Sequence, residues 1–158
     1  MKKAAYSFVT KWVIEASVEK LWDAIYESTQ WPQWWKGVED VVVIEKGAPN
    51  GIDGIREYTW KSALPYQLSF RMKLVEREDN KLMRGIAFGE LDGEGTWTFA
   101  EESGITTIHY YWNVHTNKKW MNWFSFILKP AFKYNHKVVM RWGAEGLAKK
   151  LEAQLISC

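Results

Sequence analysis

One histidine of this sequence lies where it could move a proton inside the protein. His136 shares a helical stripe with Met140, Gly143 and Leu147, at spacings of four, three and four residues. We expect this face of the helix to turn toward the interior. A neutral imidazole there can bind a ligand oxygen or act as a general base. The alternative is a histidine at the solvated end of the helix, or one that hydrogen-bonds to the backbone.

A carboxylate, Glu90, is the candidate partner of this histidine in acid and base chemistry. It has the same parity as Ile86 and Phe88 in a predicted strand. If this set faces inward, Glu90 is a carboxylate in apolar surroundings, which is the usual setting of a general acid or base. The alternative is an exposed carboxylate at the end of the strand, and a single β-bulge would invert the assignment.

An arginine on another predicted strand is a candidate for binding an anionic group. Arg56 shares one strand face with Tyr58 and Trp60. If it points inward, Arg56 can pair with Glu90 or with a negatively charged group of a ligand. A surface arginine is the alternative. Tyr58, or Tyr110 on a later strand, can orient a carbonyl group by donating a hydrogen bond to it.

The periodicity of the apolar residues predicts the elements that would position these groups. Alternation with a period of two predicts a first strand with Trp12 inward, and helical spacing after Ser17, a good N-cap, predicts a helix. A second, very short helix is predicted over 29–37. Pro130 is predicted to break or kink the apolar stretch that contains it, with a short apolar helix before it and a long helix beginning near Ala131. Strands are predicted over 6–15, 41–45, 55–61, 66–76, 81–91, 95–100 and 105–116, and the long helix over about 131–155.

These elements predict the α+β class. The connections between strands are too short for crossover helices, so the seven strands should form a curved antiparallel sheet around the long C-terminal helix. Two short helices follow the first strand. A curved sheet seldom closes on a helix without a gap, and a ligand would bind in that gap. The length of 158 residues fits one domain over 1–158, large enough to form a core without disulfides.

The composition argues against several classes of protein. Lys and Arg number 21 against 19 Asp and Glu, a balance that does not suggest a nucleic-acid partner. The uncharged stretch 120–128 is too short for a transmembrane helix, and no signal-peptide apolar region follows the N-terminus. The single Cys158 indicates a reducing compartment, so we expect a cytoplasmic protein. No nucleophile motif, phosphate-binding glycine loop or His-x-x-x-His pair occurs, so we expect neither a metal nor a nucleotide cofactor.

Aromatic residues are unusually abundant, since 11 Trp, 7 Tyr and 7 Phe make up 16% of the chain. Three indoles, Trp31, Trp34 and Trp35, are predicted near the cavity entrance, where an exposed indole can gate an apolar ligand or meet a membrane surface. A second aromatic run, 120–126, is flanked by lysines. We interpret it as a lid, or as an apolar patch that contacts a bilayer transiently or joins two copies in a homodimer.

Five stretches of the sequence together carry a resemblance to a known superfamily. They are Ile14–Trp22, Trp31–Trp35, Gly89–Trp97, Thr107–Trp112 and Asn135–Gly143. In these stretches, and over nearly all of its length, the chain resembles the START/birch-pollen-allergen superfamily, and within it the bacterial polyketide cyclase/dehydrase-like branch. The resemblance implies the helix-grip fold, with a deep hydrophobic cavity between the sheet and the C-terminal helix. It implies no single chemistry, because members include lipid carriers, hormone receptors and aromatase/cyclases.

Two functions are compatible with the expected cavity. The first hypothesis is binding, or transport, of a hydrophobic small molecule that is lipid-like or polycyclic. The second is a cofactor-free cyclase or dehydratase in which His136 and Glu90 carry protons while Arg56, Tyr58 or Tyr110 orients a carbonyl group. The candidate ligand-binding residues are Trp12, Arg56, Tyr58, Trp60, Phe70, Met72, Phe88, Trp97, Tyr110, Trp112, Asn135 and Met140.

Overall fold

An antiparallel sheet and a long C-terminal helix make up most of the structure, a computed structural model that describes residues 3–62 and 65–158. The strands are β1 (Ala5–Glu15), β2 (Val38–Glu45), β3 (Ile55–Lys61), β4 (Gln67–Glu78), β5 (Leu82–Gly89), β6 (Leu91–Glu102), β7 (Ile105–Thr116) and β8 (Gln154–Ser157). The helices are α1 (Val18–Tyr26), α2 (Trp31–Trp34), α3 (Lys119–Trp123) and α4 (Ser125–Lys150), and a 3-10 turn over Ser28–Gln30 precedes α2.

The sheet has the order β2-β3-β4-β5-β6-β7-β1-β8, and its neighbouring strands are antiparallel. Strands β2 to β7 form a meander of consecutive hairpins, and β1 lies beside β7 in a register that runs from Ala5 opposite His115 to Ile14 opposite Thr106. This arrangement confirms the predicted α+β class and the helix-grip fold. The N-cap prediction is also confirmed, because the Ser17 hydroxyl accepts a hydrogen bond from the Lys20 backbone N–H.

The structure has eight strands in its described residues, one more than predicted. The prediction that the last helix extends to about residue 155 is wrong, because α4 ends at Lys150. The chain then turns through Glu152, which has a φ of 52°, and β8 pairs with β1. The added strand gives hydrogen-bond partners to an edge of β1 that would otherwise be unpaired.

Of the predicted break or kink at Pro130, the break is wrong. The break lies at Phe124, between α3 and α4, and Pro130 is inside α4. Proline removes one helical hydrogen bond, here the bond to the carbonyl of Phe126 four residues earlier. Phe126 is exposed, so water can satisfy that carbonyl and the helix continues.

Helix α4 packs against α2 through a glycine and an indole. The Trp35 indole lies directly on Gly143, where a Cβ atom would overlap the ring. Its Nε1 donates a 2.9 Å hydrogen bond to the carbonyl of Val139, one turn earlier in α4. A Cβ atom on Gly146 would likewise overlap the Trp34 carbonyl oxygen. These contacts hold α4 across the concave face of the sheet, with Trp35 only 1% exposed.

The substitution Gly143→Ala is expected to destabilise the protein by about 1–3 kcal/mol, because the added methyl group overpacks the Trp35 indole. The direction of the stability change is informative about this contact, because Gly→Ala at an exposed helix position stabilises a protein by about 1 kcal/mol. Urea unfolding measures the effect, and Glu145→Ala, an exposed position in the same turn, should change stability by less than about 0.5 kcal/mol. A Gly143→Ala variant as stable as the wild type would contradict this packing.

Candidate ligand-binding site

A cavity of about 150 Å³ lies between α4 and the concave face of the sheet. Its walls are aromatic and aliphatic: Phe8 comes from β1, Trp112 from β7, Met121 from α3, and Phe132 and Met140 from α4. We call this space the first cavity. An apolar lining of this kind binds ligands mainly by removing their apolar surface from water.

A few polar groups face the first cavity, and several have no hydrogen-bond partner among the described residues. Three buried atoms lack a partner in the described part of the chain: the Asn135 Oδ1, the Tyr6 hydroxyl oxygen and the Trp60 Nε1. A buried polar atom without a partner costs about 1–3 kcal/mol relative to one that is satisfied. A ligand hydroxyl could donate to the Asn135 Oδ1, and a ligand hydroxyl or carbonyl oxygen could accept from the Tyr6 hydroxyl or the Trp60 Nε1.

His136 lines the first cavity beside Asn135. Its ring stacks on Phe8 with ring centroids 4.2 Å apart and an angle of 16° between the planes. Burial lowers the pKa of His136 from 6.5 to about 4. The imidazole is therefore neutral at pH 7, with one nitrogen able to donate a hydrogen bond and the other able to accept one.

A second cavity, of about 320 Å³, lies between α1, the 3-10 turn and the adjoining part of the sheet. Arg56 points into it and donates 2.7 Å hydrogen bonds to the carbonyl of Tyr26 and to the hydroxyl of Ser28. The Tyr58 hydroxyl lies 2.8 Å from the same Ser28 oxygen. Burial raises the pKa of Tyr58, although Ser28 and the Arg56 charge act in the opposite direction, so Tyr58 remains a neutral phenol.

A layer of aromatic rings separates the two cavities. Within it, Tyr110 stacks on Trp97 with ring centroids 4.1 Å apart, and burial raises the pKa of Tyr110 well above 10. The layer lies on small residues of the concave face, since a Cβ on Gly95 would be 2.7 Å from the Tyr110 hydroxyl and 2.9 Å from the Trp112 ring. The residues that border both cavities are Trp31, Trp60, Phe70, Trp97 and Tyr110.

The candidate ligand-binding residues are divided between these spaces. Trp12 is buried behind the aromatic layer, with ring centroids 5.5 Å from those of Trp35 and Trp97, and lines neither cavity. Those that line only the first cavity are Trp112, Asn135 and Met140, together with the candidate catalytic residue His136. Those that line only the second are Arg56, Tyr58 and Met72.

Glu90 does not join His136 in the first cavity, and its predicted inward orientation is wrong. The carboxylate Oε2 accepts a 2.7 Å hydrogen bond from the Ser69 backbone N–H, and Oε1 lies 3.2 Å from the Lys118 Nζ. The side chain therefore links β4 to the segment before α3. Arg56 likewise makes its hydrogen bonds to Tyr26 and Ser28 rather than to Glu90.

The predicted parity of β5 is wrong. The residues that face inward toward the end of this strand are the small ones. Ala87 is buried, whereas Phe88 pairs with the exposed Arg71 and lines neither cavity. Gly85 also faces inward, and a Cβ atom at this position would lie only 2.9 Å from the Met72 Cε. The bulk of the neighbouring side chains thus leaves room for only a hydrogen or a methyl group at these positions.

The family model described as polyketide cyclase/dehydrase and lipid transport matches residues 6–152. The chain belongs to this family. The search of curated proteins finds no match for this member of the polyketide cyclase/dehydrase family.

Solved structures share the fold of this family member at low sequence identity. An aromatase/cyclase, ZhuI from Streptomyces sp. R1128, has a TM-score of 0.75 at 7% identity, over 94% of each chain. A START superfamily protein from Mycobacterium smegmatis has a TM-score of 0.71 at 12% identity, over 94% of this chain and 97% of that one. The di-domain aromatase/cyclase StfQ of the steffimycin biosynthetic pathway has a TM-score of 0.66 at 14% identity. The alignment covers 94% of this chain but 52% of StfQ, so the chain spans about half of that protein.

The three indoles expected at the cavity entrance do not form an exposed rim in this polyketide cyclase/dehydrase family member. Trp31 and Trp35 are buried and form part of the inner wall of the first cavity. The Trp31 Nε1 donates to the carbonyls of Ala24 and Ile25, both at 3.2 Å. Trp34 is half-buried and stacks on Trp35 at 5.5 Å. Packing against α4 accounts for Trp34 and Trp35, and packing against α1 and the sheet accounts for Trp31.

Several lining residues were missed by the sequence interpretation, although some have a periodicity signal. Phe132 and Val139 lie four residues before and three residues after His136, on the same helical face. Phe8 has the parity of Trp12 in β1. Other residues that line the first cavity are Tyr6, Ser62, Tyr66, Leu68, Leu91, Val114 and Met121.

Among the described residues, no three His, Cys, Asp or Glu side chains form a group that could hold a metal ion. None of the described helices combines the length and the apolar character required to cross a bilayer.

The depressed pKa of His136 makes stability depend on pH in a defined direction. Between pH 6.5 and about 4 the unfolded chain binds a proton at this residue and the folded chain does not, so stability falls as the pH falls through this window. This one group accounts for about 2 kcal/mol of lost stability between pH 7 and pH 5. In urea unfolding at the two pH values, the His136→Gln variant should lose less stability than the wild type, and the difference should equal that amount.

The matched control is His115→Gln, at an exposed position of β7. It should keep the pH dependence of the wild type. An equal pH dependence in His136→Gln and wild type would mean that the imidazole is solvated in the folded protein.

Proposed function

We propose that this protein binds a hydrophobic, ring-containing or lipid-like small molecule that carries a hydroxyl or carbonyl group, and that it acts as a carrier. The ligand's apolar body occupies the first cavity, and its oxygen hydrogen-bonds to the Asn135 amide, beside the neutral imidazole of His136. The observation that carries the proposal is the buried Oδ1 atom of Asn135, which lacks a partner among the described residues in a cavity with a mostly apolar lining.

The protonation states of the surrounding groups favour binding over proton transfer. A general base works best with a pKa near the operating pH, and burial has moved that of His136 down to about 4. Burial also raises the pKa of the Tyr58 and Tyr110 phenols, so they remain protonated and donate hydrogen bonds. Glu90, the other candidate proton carrier, is bonded to Ser69 and Lys118. Neutral groups of this kind orient a ligand oxygen without exchanging a proton with it.

A pair of ligands that differ by one hydroxyl group tests the proposal. Wild-type protein is expected to bind 1-naphthol about tenfold more tightly than naphthalene, because the hydroxyl satisfies a buried partner. In Asn135→Leu this preference should disappear while naphthalene binding is retained. Isothermal titration calorimetry measures both dissociation constants.

Asn122→Leu is the matched control. The Asn122 amide accepts a 2.7 Å bond from the Ala4 N–H and donates a 3.1 Å bond to the Thr116 carbonyl, so its loss should reduce stability but leave the preference for 1-naphthol intact. If neither compound binds the wild type, or if Asn135→Leu keeps the preference, the proposal is overturned.

The second candidate function is cofactor-free cyclisation or dehydration of a bound polyketone. The observation that favours it is the hydrogen-bonded chain of Arg56, Ser28 and Tyr58 in the second cavity. A guanidinium and a phenol held on one hydroxyl can polarise a carbonyl group for attack by an enol carbon of the same polyketone, and the new alkoxide oxygen takes up the proton that the enol hydroxyl loses. The chain would then act on the ligand's carbonyl end while the aromatic layer positions the rest.

A synthetic poly-β-ketone tests this second function through the ultraviolet absorbance of the aromatic product. Enzymatic cyclisation predicts acceleration over buffer, and a rate at least about tenfold lower in Arg56→Gln and in Tyr58→Phe. The Arg71→Gln variant is the control, because Arg71 is exposed and paired with Glu57 on the outer face. A wild-type rate equal to that of buffer eliminates this function and leaves the binding proposal untouched.

A further inference from the structure

Four large apolar side chains within a run of five residues are exposed where α3 meets α4. Trp123 is 67% exposed, Phe124 52%, Phe126 77% and Ile127 60%. We call these four residues the apolar patch. Isolated exposed apolar side chains are common, but a contiguous group of this size marks a surface that contacts something other than water.

The helix face that begins at the patch carries a line of cations. Lys129, Lys133, Lys137 and Arg141 follow Phe126 at intervals of three or four residues and are all exposed. We call these four residues the basic stripe. The sequence contains no Asp or Glu from Ser103 to Ala144, although the whole chain has a net charge of only +2. The positive charge of the stripe is therefore not offset by acids within its own segment.

We propose that the apolar patch and the basic stripe together form a docking surface for an anionic lipid bilayer. Aromatic and aliphatic side chains insert at the boundary between headgroups and acyl chains, and flanking lysines bind anionic headgroups. A bilayer matches both components at once. A second copy of the chain matches only the patch, because pairing two identical faces would bring two basic stripes together and the like charges would repel.

The docking surface belongs to the same helices that cover the first cavity. Met121 of α3 and Phe132 of α4 line that cavity, while the patch residues on the same two helices face outward. Tyr66, another lining residue, has its ring centroid 5.7 Å from Trp120 and 5.6 Å from Phe132. Docking therefore places the cover of the cavity against the membrane. Transfer of a lipid-like ligand by this route rests on the proposed function, whereas docking itself does not.

Vesicle co-sedimentation tests the docking surface. The wild type is expected to bind vesicles of phosphatidylcholine and phosphatidylserine, to bind pure phosphatidylcholine vesicles at least about tenfold more weakly, and to be released by salt. Lys133→Gln/Lys137→Gln should weaken binding to the anionic vesicles by roughly thirtyfold, given the usual contribution of each basic residue. Trp123→Ser/Phe126→Ser should weaken it by about tenfold or more.

Matched double variants elsewhere on the surface control for charge and hydrophobicity. Lys11→Gln/Lys20→Gln removes the same charge from exposed positions in β1 and α1, and Val9→Ser/Val42→Ser removes exposed apolar side chains from β1 and β2. Both should bind anionic vesicles as the wild type does. All substituted residues are exposed, and circular dichroism checks that each variant folds.

Three outcomes overturn the proposal. The first is absence of wild-type binding to anionic vesicles, and the second is equal loss of binding in the control and patch variants. The third is a wild type that binds no vesicles and forms a dimer in analytical ultracentrifugation, while Trp123→Ser/Phe126→Ser is a monomer. That result would identify the patch as a homodimer interface instead. Asn135→Leu should still bind vesicles, so failure of docking and failure of ligand binding are separately visible.

Discussion

The contact between the Trp35 indole and Gly143 is the constraint on which the rest of the structure depends. It brings α4 onto α2, and the hydrogen bond from Trp35 to the Val139 carbonyl fixes the rotation of the helix about its own axis. That rotation determines which α4 side chains face the sheet. Asn135 and His136 consequently line the first cavity, and the basic stripe faces outward. The candidate ligand site and the proposed docking surface thus both depend on one packing contact.

The aromatic layer adds a second constraint, because large rings need space on the concave face of the sheet. Gly95 provides it, because it lies under the Tyr110 and Trp112 side chains. The rings then close the space between the two cavities instead of filling the centre of either. The balance between packed rings and open space is what makes this interior suited to a ligand with an apolar ring system.

Among the described residues, the lining of the first cavity carries no charged side chain, whereas one outer surface is positive. The candidate site contains a neutral imidazole, neutral phenols and amides, while Arg56 is held by Tyr26 and Ser28 at the edge of the second cavity. Glu90 makes its bonds outside both cavities. A neutral cavity lining suits an uncharged ligand, and a positive outer face suits an anionic surface from which such a ligand can come.

The sequence by itself determined the order of the elements, the α+β class and the helical stripe of His136 and Met140, because these depend on local periodicity and on turn and cap residues. Only the tertiary structure decided the parity of β5, where Ala87 rather than Phe88 faces inward, since that choice depends on the bulk of side chains from neighbouring strands. It also decided the eighth strand, which requires the free edge of β1, and the continuity of α4 through Pro130, which requires an exposed carbonyl at Phe126. Each of these outcomes depends on groups distant in the chain or on solvent exposure, and local pattern carries no information about either.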